Sequence, residues 1–297
     1  MKELVILSGK GGTGKTSLTA AFAGLAPSLM LCDADVDAAD LHLIMSPDIH
    51  ETHDFVGGNE AVINQDLCTG CGTCKDLCRF DAVSASDDTF VVDALNCEGC
   101  GVCVDLCPET AIDFPQKTCG QWFVSTTRFG PMVHARLGIA EENSGRLVTL
   151  VREQARNRAR EQHIDLILTD GPPGIGCPVI ASMGQASAVL IVAEPTVSGI
   201  HDMKRVGELA AHFKIPAMVC INKYDLNPDQ TRSIEKIAEE KNMALVGQIP
   251  FDPAFTRAMI QCKTLVENDE TSRASQAVRD IWHAVMASPA MKIERLM

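Results

Sequence analysis

The 297-residue chain has few aromatic side chains, with one Tyr, two Trp and ten Phe. Proteins that bind single-stranded nucleic acid usually stack bases on such rings. The chain also lacks an excess of positive charge, because its formal net charge is −13. That charge opposes binding to phosphate backbones and to anionic lipid surfaces. We therefore expect no nucleic acid and no membrane surface as the principal partner.

Long hydrophobic runs are missing too, since no stretch of about 18 apolar residues is present to cross a bilayer as a helix. No secretory signal peptide is recognisable, because the opening residues MKELVILSGKGG lead directly into a predicted strand and a glycine-rich loop. In such a chain we expect the thirteen cysteines to be reduced thiols of a cytoplasmic protein rather than disulfides. A hydrophobic content of 46% is enough for a full α/β core and a small second module.

Eight of the cysteines form two runs with the spacing C-x2-C-x2-C-x3-C, and the runs begin 29 residues apart. This spacing is typical of bacterial two-cluster ferredoxins, in which the fourth cysteine of each run ligates the other cluster. It predicts one ligand set for each of two [4Fe–4S] clusters: Cys68, Cys71, Cys74 and Cys107 for the first, and Cys97, Cys100, Cys103 and Cys78 for the second. A zinc site or disulfides are the alternative, but the repetition of the run and the Pro after Cys107 favour iron–sulfur ligands.

The segments around the two runs also repeat, because KDLCRFDAVS aligns with VDLCPETAID. One position departs from the ferredoxin pattern, since Arg79 follows the first run where a proline is usual. We expect this residue to change the exposure or potential of one cluster without removing a ligand. The predicted ferredoxin insertion covers residues 64–115.

A phosphate-binding loop is predicted near the start of the chain. Glu3–Ser8 is a short apolar strand, the sequence GKGGTGKT follows it, and an Ala- and Leu-rich helix then runs to about Ala26. Backbone amides of this loop would cradle phosphates, with Lys15 on the β and γ oxygens and Thr16 on Mg²⁺. The expected nucleotide contacts are Gly11, Gly12, Thr13, Gly14, Lys15, Thr16 and Ser17. A glycine-rich turn without a ligand is the alternative.

The loop carries a second lysine, Lys10, in the motif KGGTGKT. This motif resembles the deviant Walker A loop of the MinD, Mrp, ParA and nitrogenase iron protein class, whose members are ATP-dependent homodimers. The resemblance implies that the chain binds and hydrolyses ATP as a homodimer. It also implies that Lys10 reaches across the dimer interface to the partner's ATP and joins Lys15 in catalysis.

The next strand leads into DADVDAAD, which has four aspartates in eight residues. This segment resembles the first switch of the same class. The resemblance implies that Asp35 positions the attacking water and that Asp33 supports Mg²⁺ or the switch. A solvated acidic loop is the alternative for these two residues and the preferred interpretation for Asp37.

A second switch is indicated further along the chain. The residues IDLILTD from Ile164 predict a buried strand that ends at Asp170, and GPPGIG follows them. The D-x-P-P-G pattern resembles the second switch of the Mrp-like branch. The resemblance implies that Asp170 holds Mg²⁺ through water and that Gly174 offers its amide to the γ-phosphate.

The base site is indicated by Asn222, which lies at a strand end where the family reads adenine. The loop of Pro250, Phe251 and Asp252 resembles the family's segment beside the base. The sequence NKYD that begins at Asn222 also resembles the guanine motif of GTPases. The loop at Lys10 and the first switch favour ATP over GTP.

Further strands are predicted at Ala188–Ala193, Ala217–Ile221 and Ala244–Ile249, each separated by a helical stretch. The fold class is therefore α/β, a doubly wound and mostly parallel sheet of the P-loop NTPase type with a small inserted α+β ferredoxin domain. Residues 1–63 and 116–297 form the predicted ATPase domain. The whole pattern resembles a MinD-superfamily ATPase with an inserted two-cluster ferredoxin domain.

Five cysteines lie outside the two runs. Cys177 lies seven residues after Asp170, an offset at which the nitrogenase iron protein has a cluster-bridging cysteine. A cluster-contacting or reactive thiol, with Cys119 as a second ligand, is one interpretation, and a buried or capping thiol is the other. The remaining three are predicted to pack in the core: Cys32, Cys220 and Cys262.

Three further segments carry weaker signals. The arginines at positions 152, 156, 158 and 160 predict the solvated face of a helix, with docking of an acidic electron-transfer partner as the alternative. The segment ENSGRLV before this helix resembles a stretch that precedes the second switch in the family. MinD proteins bind membranes through a basic C-terminal helix, but the tail from Pro289 to Met297 carries a side-chain charge of only +1. We expect a frayed terminus there.

Two classes of function follow. In the first, ATP closes a dimer and thereby controls electron transfer through the two clusters to a redox partner. In the second, the chain uses ATP to load iron–sulfur or metal clusters onto a client protein, as Mrp-like relatives are thought to do. A redox-sensing positioning protein of the MinD kind is a third. The first is favoured because eight cysteines saturate two clusters, whereas a carrier needs an incompletely ligated site.

Overall fold

The computed structural model describes residues 1–138 and 144–292. These form two compact units, of which the first comprises Met1–Thr52, Trp122–Arg136 and the chain from Ser144 onward. The second comprises His53–Gln121 and a short segment that begins at Leu137. Glu142 and Asn143 of the ENSG segment, and residues 293–297 of the predicted tail, lie outside the described residues. In the described ranges, no helix is both long enough and apolar enough to cross a membrane.

Strands and helices alternate along much of the chain. The strands are β1 (Lys2–Ser8), β2 (Met30–Asp33), β3 (Asp48–Asn59), β4 (Val62–Ile63), β5 (Val83–Ser86), β6 (Thr89–Val92), β7 (Ile112–Asp113), β8 (Gln116–Thr127), β9 (Gly130–Leu137), β10 (Leu166–Pro173), β11 (Ala188–Ala193), β12 (Ala217–Asn222) and β13 (Ala244–Ile249). The helices are α1 (Lys15–Ala23), α2 (Leu41–Met45), α3 (Thr73–Leu77), α4 (Val102–Asp105), α5 (Ser144–Glu161), α6 (Cys177–Met183), α7 (Val197–His212), α8 (Pro228–Glu240), α9 (Ala254–Ile260), α10 (Leu265–Asn268) and α11 (Arg273–Ala287).

A nine-stranded sheet has the order β13-β12-β11-β1-β10-β2-β9-β8-β3. The six strand pairs from β13 to β9 are all parallel. The central strand β1 is buried on both faces, which explains its uninterrupted apolar run. Its Leu4 and Ile6 pack with residues of α1 and α11, and Val5 and Leu7 pack with residues of α6, α7 and α8. The predicted doubly wound, mostly parallel α/β sheet is therefore confirmed.

The sheet is wider than the sequence predicts, because β9, β8 and β3 extend it beyond β2. Strand β3 was not predicted from its sequence DIHETHDFVGGN, since polar residues dominate it and most of its first half is exposed. Strands β3 and β8 each contribute residues to both units. For this reason the second unit spans a longer segment than the predicted insertion at 64–115.

The second unit contains two small antiparallel sheets, β4 with β7 and β5 with β6. Helices α3 and α4 are only five and four residues long, and each begins after a glycine in the left-handed region. Gly72 has φ of 81° and Gly101 has φ of 74°. Ile63, Val83 and Ile112 form a small core, and most cysteines of the two C-x2-C-x2-C-x3-C runs pack against it. The second unit therefore has a small apolar core with cysteine thiols packed around it.

Candidate functional site

The loop between β1 and α1 has the backbone geometry that its glycines permit. Gly12 and Gly14 have φ of 78° and 89°, in the region that residues with a Cβ rarely adopt. A Cβ on Gly14 would also lie 2.4 Å from the Nδ2 atom of Asn222. Helix α1 begins immediately after Gly14. Its N-terminal amides therefore face the loop, as an anion-binding P-loop requires.

Charged side chains from α1, from β10 and from the segment after β2 meet at this loop. The Nζ atom of Lys15 lies 3.0 Å from Oδ1 of Asp170 and 3.2 Å from Oδ2 of Asp35. The hydroxyls of Thr16 and Thr19 donate to the two oxygens of Asp170 at 2.7 and 2.8 Å. The structure thus brings together the predicted Lys15, Thr16, Asp35 and Asp170, and it adds Thr19, which the motif did not single out.

This cluster has more negative than positive charge. Burial lowers the pKa of Lys15, but the charges of Asp170, Asp35 and Asp33 outweigh burial and raise it overall. Burial and the nearby Asp170 raise the pKa of Asp33 well above its usual range, and burial also raises that of Asp35. A solvated acidic loop is therefore excluded for Asp33 and Asp35, which are buried, whereas Asp37 is exposed as expected.

Several buried oxygens of the cluster lack a hydrogen-bond partner among the described residues: Oδ2 of Asp33, Oδ1 of Asp35 and Oγ1 of Thr13. Buried polar atoms are normally paired, and carboxylate and hydroxyl oxygens are ligands that Mg²⁺ accepts. The residues present therefore fit a magnesium–nucleotide complex. An open cleft of about 1110 Å³ lies over them and is lined by residues Ser8, Gly11–Ser17, Asp35, Ala38, Asp40, Leu43, Ile44, Pro173 and Met259.

Lys10 is bound within its own chain. Its Nζ atom lies 3.2 Å from Oε2 of Glu194 and 3.5 Å from Oγ1 of Thr196. Lys223 contacts the other Glu194 oxygen at 2.5 Å and donates to the Gly12 carbonyl at 3.3 Å. Burial raises the pKa of Glu194, but the hydrogen bonds from Lys223 and Lys10 lower it overall. Sequence reasoning missed Glu194, although its place just after the buried strand β11 was a usable signal.

Asn222 contacts the phosphate loop. Its Nδ2 donates to the Thr13 carbonyl at 2.7 Å, and its Oδ1 accepts the Lys223 N–H at 3.0 Å. The predicted base loop follows β13, where Oδ1 of Asp225 accepts the Phe251 N–H at 2.7 Å. One oxygen of Asp225 is thus used inside the protein. Phe251 is half exposed beside Pro250 and Asp252.

Gly174 lies in the loop after β10 with φ of 91°. Its N–H donates to the Ser8 carbonyl at 2.9 Å. This amide is therefore already used within the chain. Helix α6 begins three residues later, at Cys177.

In the second unit, the eight cysteines of the two C-x2-C-x2-C-x3-C runs line two separate cavities. A cavity of about 340 Å³ is bordered by Cys68, Cys71, Cys74 and Cys107. A cavity of about 310 Å³ is bordered by Cys78, Cys97, Cys100 and Cys103. The rest of each lining is largely apolar, with Ile63, Phe90 and Ile112 in the first and Val83, Val92 and Phe114 in the second. The described side chains contain no group of three His, Cys, Asp or Glu residues arranged around a single metal ion.

The remaining cysteines differ from one another. Cys32 and Cys220 are buried as predicted, and burial raises the pKa of Cys220 to about 12. The prediction that Cys262 packs in the core is wrong, because it is exposed in a turn after α9 with φ of 53°. Cys177 is exposed at the start of α6, which excludes a buried thiol there. Cys119 is buried in the second unit.

The interpretation of the arginine-rich stretch as a solvated face is also wrong for three of its four members. Arg152 and Arg156 donate to opposite oxygens of the buried Glu3 at 2.8 Å. Their side chains are only 3% and 14% exposed. The sequence pattern does not reveal this pairing, because Glu3 lies 149 residues before Arg152. Arg158 pairs with Glu51, and only Arg160 is exposed as expected.

Some known proteins are similar to this chain in sequence, one over nearly its whole length and another over part of it. An uncharacterized protein of Methanocaldococcus jannaschii is 28% identical over 283 residues, which is 94% of this chain and 95% of that protein. A cytosolic Fe-S cluster assembly factor NUBP1 homolog of Caenorhabditis briggsae is 25% identical over 142 residues, which is 42% of this chain and 45% of that protein.

Solved structures show the same fold. The septum site-determining protein MinD complexed with Mg-ADP from Pyrococcus horikoshii is similar with a TM-score of 0.58 and 18% identity, covering 98% of this chain and 99% of that one. Residues 4–265 match the family described as the CobQ/CobB/MinD/ParA nucleotide binding domain. The chain therefore belongs to the CobQ/CobB/MinD/ParA family of nucleotide-binding domains and has the P-loop ATPase fold of MinD.

Proposed function

We propose that the protein is a dimeric ATPase whose nucleotide state controls electron transfer through two [4Fe–4S] clusters held by the second unit. One observation carries this proposal: the eight cysteines of the two runs border two cavities, with four thiols at each. The grouping is the one that the cysteine spacing predicts. Thiols inside a mostly apolar lining are the donors and surroundings that iron–sulfur clusters require.

The shape of the ligand set also supports clusters over a single ion. A four-iron cluster is bound through one thiolate on each iron, so its ligands surround a cube instead of converging on one point. Four cysteines border each cavity, and the described side chains contain no group of three His, Cys, Asp or Glu residues around a single ion, which supports a cluster over one metal ion. The bound clusters would supply one-electron chemistry. The chain would contribute the thiolates, the apolar lining and the restricted access of water, and each of these affects reduction potential.

At the nucleotide site, each residue has a role that follows from its position. The loop amides and Lys15 would hold the phosphates, while Thr16, Asp33 and Asp170 would hold Mg²⁺, directly or through water. The charge of Mg²⁺ would compensate the buried carboxylates. Lys15 would then exchange Asp35 for phosphate oxygens, which leaves Asp35 to accept a hydrogen bond from the attacking water. This exchange would break the contact of Lys15 with Asp35 at 3.2 Å and could keep its contact with Asp170 at 3.0 Å.

A homodimer is part of the proposal, with Lys10 of each protomer directed to the nucleotide of the other. Lys10 would have to leave Glu194 to do so, because its ammonium group lies 3.2 Å from that carboxylate. Asn222 and the loop of Pro250, Phe251 and Asp252 would border the adenine. We place the protein in a reducing cytoplasm, where cysteine-ligated clusters persist. Its partner in electron transfer is a second redox protein.

A second candidate function is delivery of clusters to a client protein. It is favoured by the partial similarity to a cytosolic Fe-S cluster assembly factor. Cys71 and Cys100 are also exposed, one at each cavity. Ligation of two clusters by all eight cysteines would favour electron transfer, since a cluster that is delivered must be released.

The two modules are tested separately by substitution in anaerobically purified protein. We expect Lys15→Ala to abolish ATP hydrolysis and leave the iron content unchanged. We expect Cys71→Ser to lose or convert one cluster, seen as lower iron and an altered electron paramagnetic resonance spectrum, while nucleotide binding persists. Cys262→Ser is the matched control, because this exposed thiol lies in the first unit. Purified wild-type protein without iron, or equal iron loss in the control, would refute the cluster assignment.

A further inference from the structure

A groove of about 950 Å³ lies between α5 and α6 of the first unit. One wall carries Arg152, Arg156 and Arg160, which are four residues apart and share one face of α5. The other wall includes Ile180 and Gln185, at and just after α6. The groove is open and lies apart from the nucleotide cleft, with which it shares no lining residue.

The floor of the groove has positive charge that the described residues leave uncompensated. Arg152 and Arg156 share one carboxylate, that of Glu3, which also accepts from Thr169 at 3.0 Å. Glu153 lines the groove but is exposed to solvent. The buried Arg152 and the half-buried Arg156 therefore share one buried carboxylate, and Arg160 adds a third positive charge at the rim. Three guanidinium groups thus meet two carboxylates, those of Glu3 and Glu153, and the excess positive charge favours an anion.

Arg152 provides an independent indication of a ligand. Its side chain is 3% exposed. Its Nε donates to Glu3 and its Nη1 to the Ala181 carbonyl at 2.5 Å. Its Nη2 is buried and has no hydrogen-bond partner among the described residues. Arginine normally uses every N–H it buries, so Nη2 is the one nitrogen of Arg152 left to donate to an acceptor in the groove.

We propose that the groove between α5 and α6 binds a glutamate or aspartate side chain of an acidic segment from a partner protein. The mixed lining favours a peptide over a free anion. Ile180 is 39% exposed and offers apolar contact. The amide oxygens of Asn157 and Gln185 accept from Arg160 and Arg156, which leaves the amide N–H groups of these two residues to donate at the rim. The carbonyls of Ala181 and Gly184 and the carboxylate of Glu153 would repel a dianion such as phosphate more than a single carboxylate.

The groove is bordered by α6, the helix that follows the predicted second switch. Helix α6 begins three residues after Gly174 and directly follows the loop whose amide is held by Ser8. Arg152 and Arg156 hold the carbonyls of Ala181 and Gly184 at the other end of α6. A segment bound in the groove would therefore contact the helix that follows the predicted second switch. Binding of such a segment does not require the clusters.

The test is a nuclear magnetic resonance titration of the arginine Nε–H groups in the full-length protein. The probe is a blocked tetraglutamate peptide, with blocked tetralysine and inorganic phosphate as comparison ligands. We expect tetraglutamate to shift the Arg152 and Arg156 signals saturably, and phosphate to compete only weakly. Arg152→Lys keeps the charge but removes the guanidinium fork, so the titration should lose its saturable response. Retained nucleotide binding would show that this variant is folded.

Substitution of an exposed arginine tests the groove without disturbing buried contacts of the fold. Arg160→Gln should weaken tetraglutamate binding by about two- to fivefold, the range of an exposed charge pair. Arg205→Gln, an exposed residue of α7, should leave it unchanged. No saturable shift with tetraglutamate would overturn the proposal. Equal weakening by the two exposed variants, or binding of phosphate as tight as that of the peptide, would also overturn it.

Discussion

The ammonium group of Lys10 lies 3.2 Å from the carboxylate of Glu194 in the same chain. The other oxygen of Glu194 contacts Lys223, which also donates to the Gly12 carbonyl. One carboxylate thus joins the lysine of the deviant Walker A motif to the residue that follows β12. In a homodimer that uses Lys10 across the interface, Glu194 would compete with the partner's nucleotide for this lysine.

Replacement of Glu194 tests that competition. Glu194→Gln keeps the shape of the side chain and removes its charge, so Lys10 should be released more easily. We expect the ATP-dependent dimer to form up to about fivefold more readily, as loss of a partly exposed ion pair of about 1 kcal/mol allows. Sedimentation velocity with ATP measures the dimer fraction. Glu208→Gln, which removes an exposed pair with Lys241, is the control. An unchanged or smaller dimer fraction in Glu194→Gln would show that Glu194 does not restrain Lys10.

The glycines of the phosphate loop should differ in their tolerance of a side chain. Gly14→Ala places a Cβ 2.4 Å from Nδ2 of Asn222 at a φ of 89°. We expect a loss of about 1–3 kcal/mol in the free energy of unfolding and loss of nucleotide binding. Gly11→Ala meets no atom within 4 Å, so its effect on unfolding should be below about 0.5 kcal/mol.

Unfolding in urea can be followed by tryptophan fluorescence for these variants. Trp122 and Trp282 both belong to the first unit, so their signal reports on the nucleotide-binding unit. Equal destabilisation by Gly14→Ala and Gly11→Ala would mean that the close approach of Asn222 does not constrain the loop.

The stability of the first unit should fall at acidic pH because of His134. Its ring is buried, stacks on Phe123 at 5.0 Å and shares a hydrogen bond of 2.9 Å with Ser125. Burial and the nearby His42 lower the pKa of His134 to about 4. The unfolded chain, with a histidine pKa of about 6.5, binds this proton first. Stability is therefore lost as pH falls from about 6.5 towards about 4.

Between pH 7 and pH 5 this residue should account for a loss of about 2 kcal/mol in unfolding free energy. His134→Gln preserves a donor for Ser125 and cannot titrate, so the loss between the two pH values should shrink by about that amount. Urea unfolding of both proteins at the two pH values provides the comparison. His201→Asn, at an exposed histidine of α7, should keep the wild-type pH dependence. The same pH dependence in His134→Gln and wild type would assign the acid sensitivity to other groups.

Removal of Lys15 should destabilise the chain as well as inactivate it. Lys15→Ala leaves Asp35 and Asp170 without the ammonium group that lies 3.2 and 3.0 Å away. Breaking a buried pair on one side costs about 3–5 kcal/mol. We expect a lower melting temperature that Mg²⁺ partly restores, because the ion replaces the missing positive charge. Lys10→Ala, at a more exposed lysine, should show a smaller effect and no restoration. A Lys15→Ala protein that melts at the wild-type temperature without Mg²⁺ would contradict this charge balance.

The features that could be predicted from the sequence are those with local signals. The run GKGGTGKT and the apolar strands β1, β11 and β13 are encoded by neighbouring residues, and the structure has them within one or two residues of the expected bounds. The burial of Asp33 and Asp35 follows from their position at the end of β2. Such positions are fixed by the hydrophobic pattern of neighbouring residues, which a single sequence contains.

The features that were missed depend on contacts between distant segments. The pairing of Arg152 with Glu3 joins residues 149 positions apart, so an amphipathic helix pattern cannot show it. Strand β3 is mostly polar and carries no alternating signal. Cys262 ended outside the core because α9 stops at Ile260 and the chain turns there at a positive φ. Glu194 follows a recognisable buried strand, but its ion pairs with Lys10 and Lys223 cannot be read from its neighbours in the sequence.

The most direct test of coupling between the two units is an anaerobic redox titration followed by electron paramagnetic resonance. The Asp35→Asn variant, expected to bind but not hydrolyse ATP, is titrated with and without MgATP, and Lys15→Ala is the control. We expect MgATP to shift the midpoint potential or the spectrum of at least one cluster in Asp35→Asn and to leave Lys15→Ala unchanged. Identical potentials and spectra with and without MgATP would contradict nucleotide control of electron transfer and would favour delivery of clusters to a client.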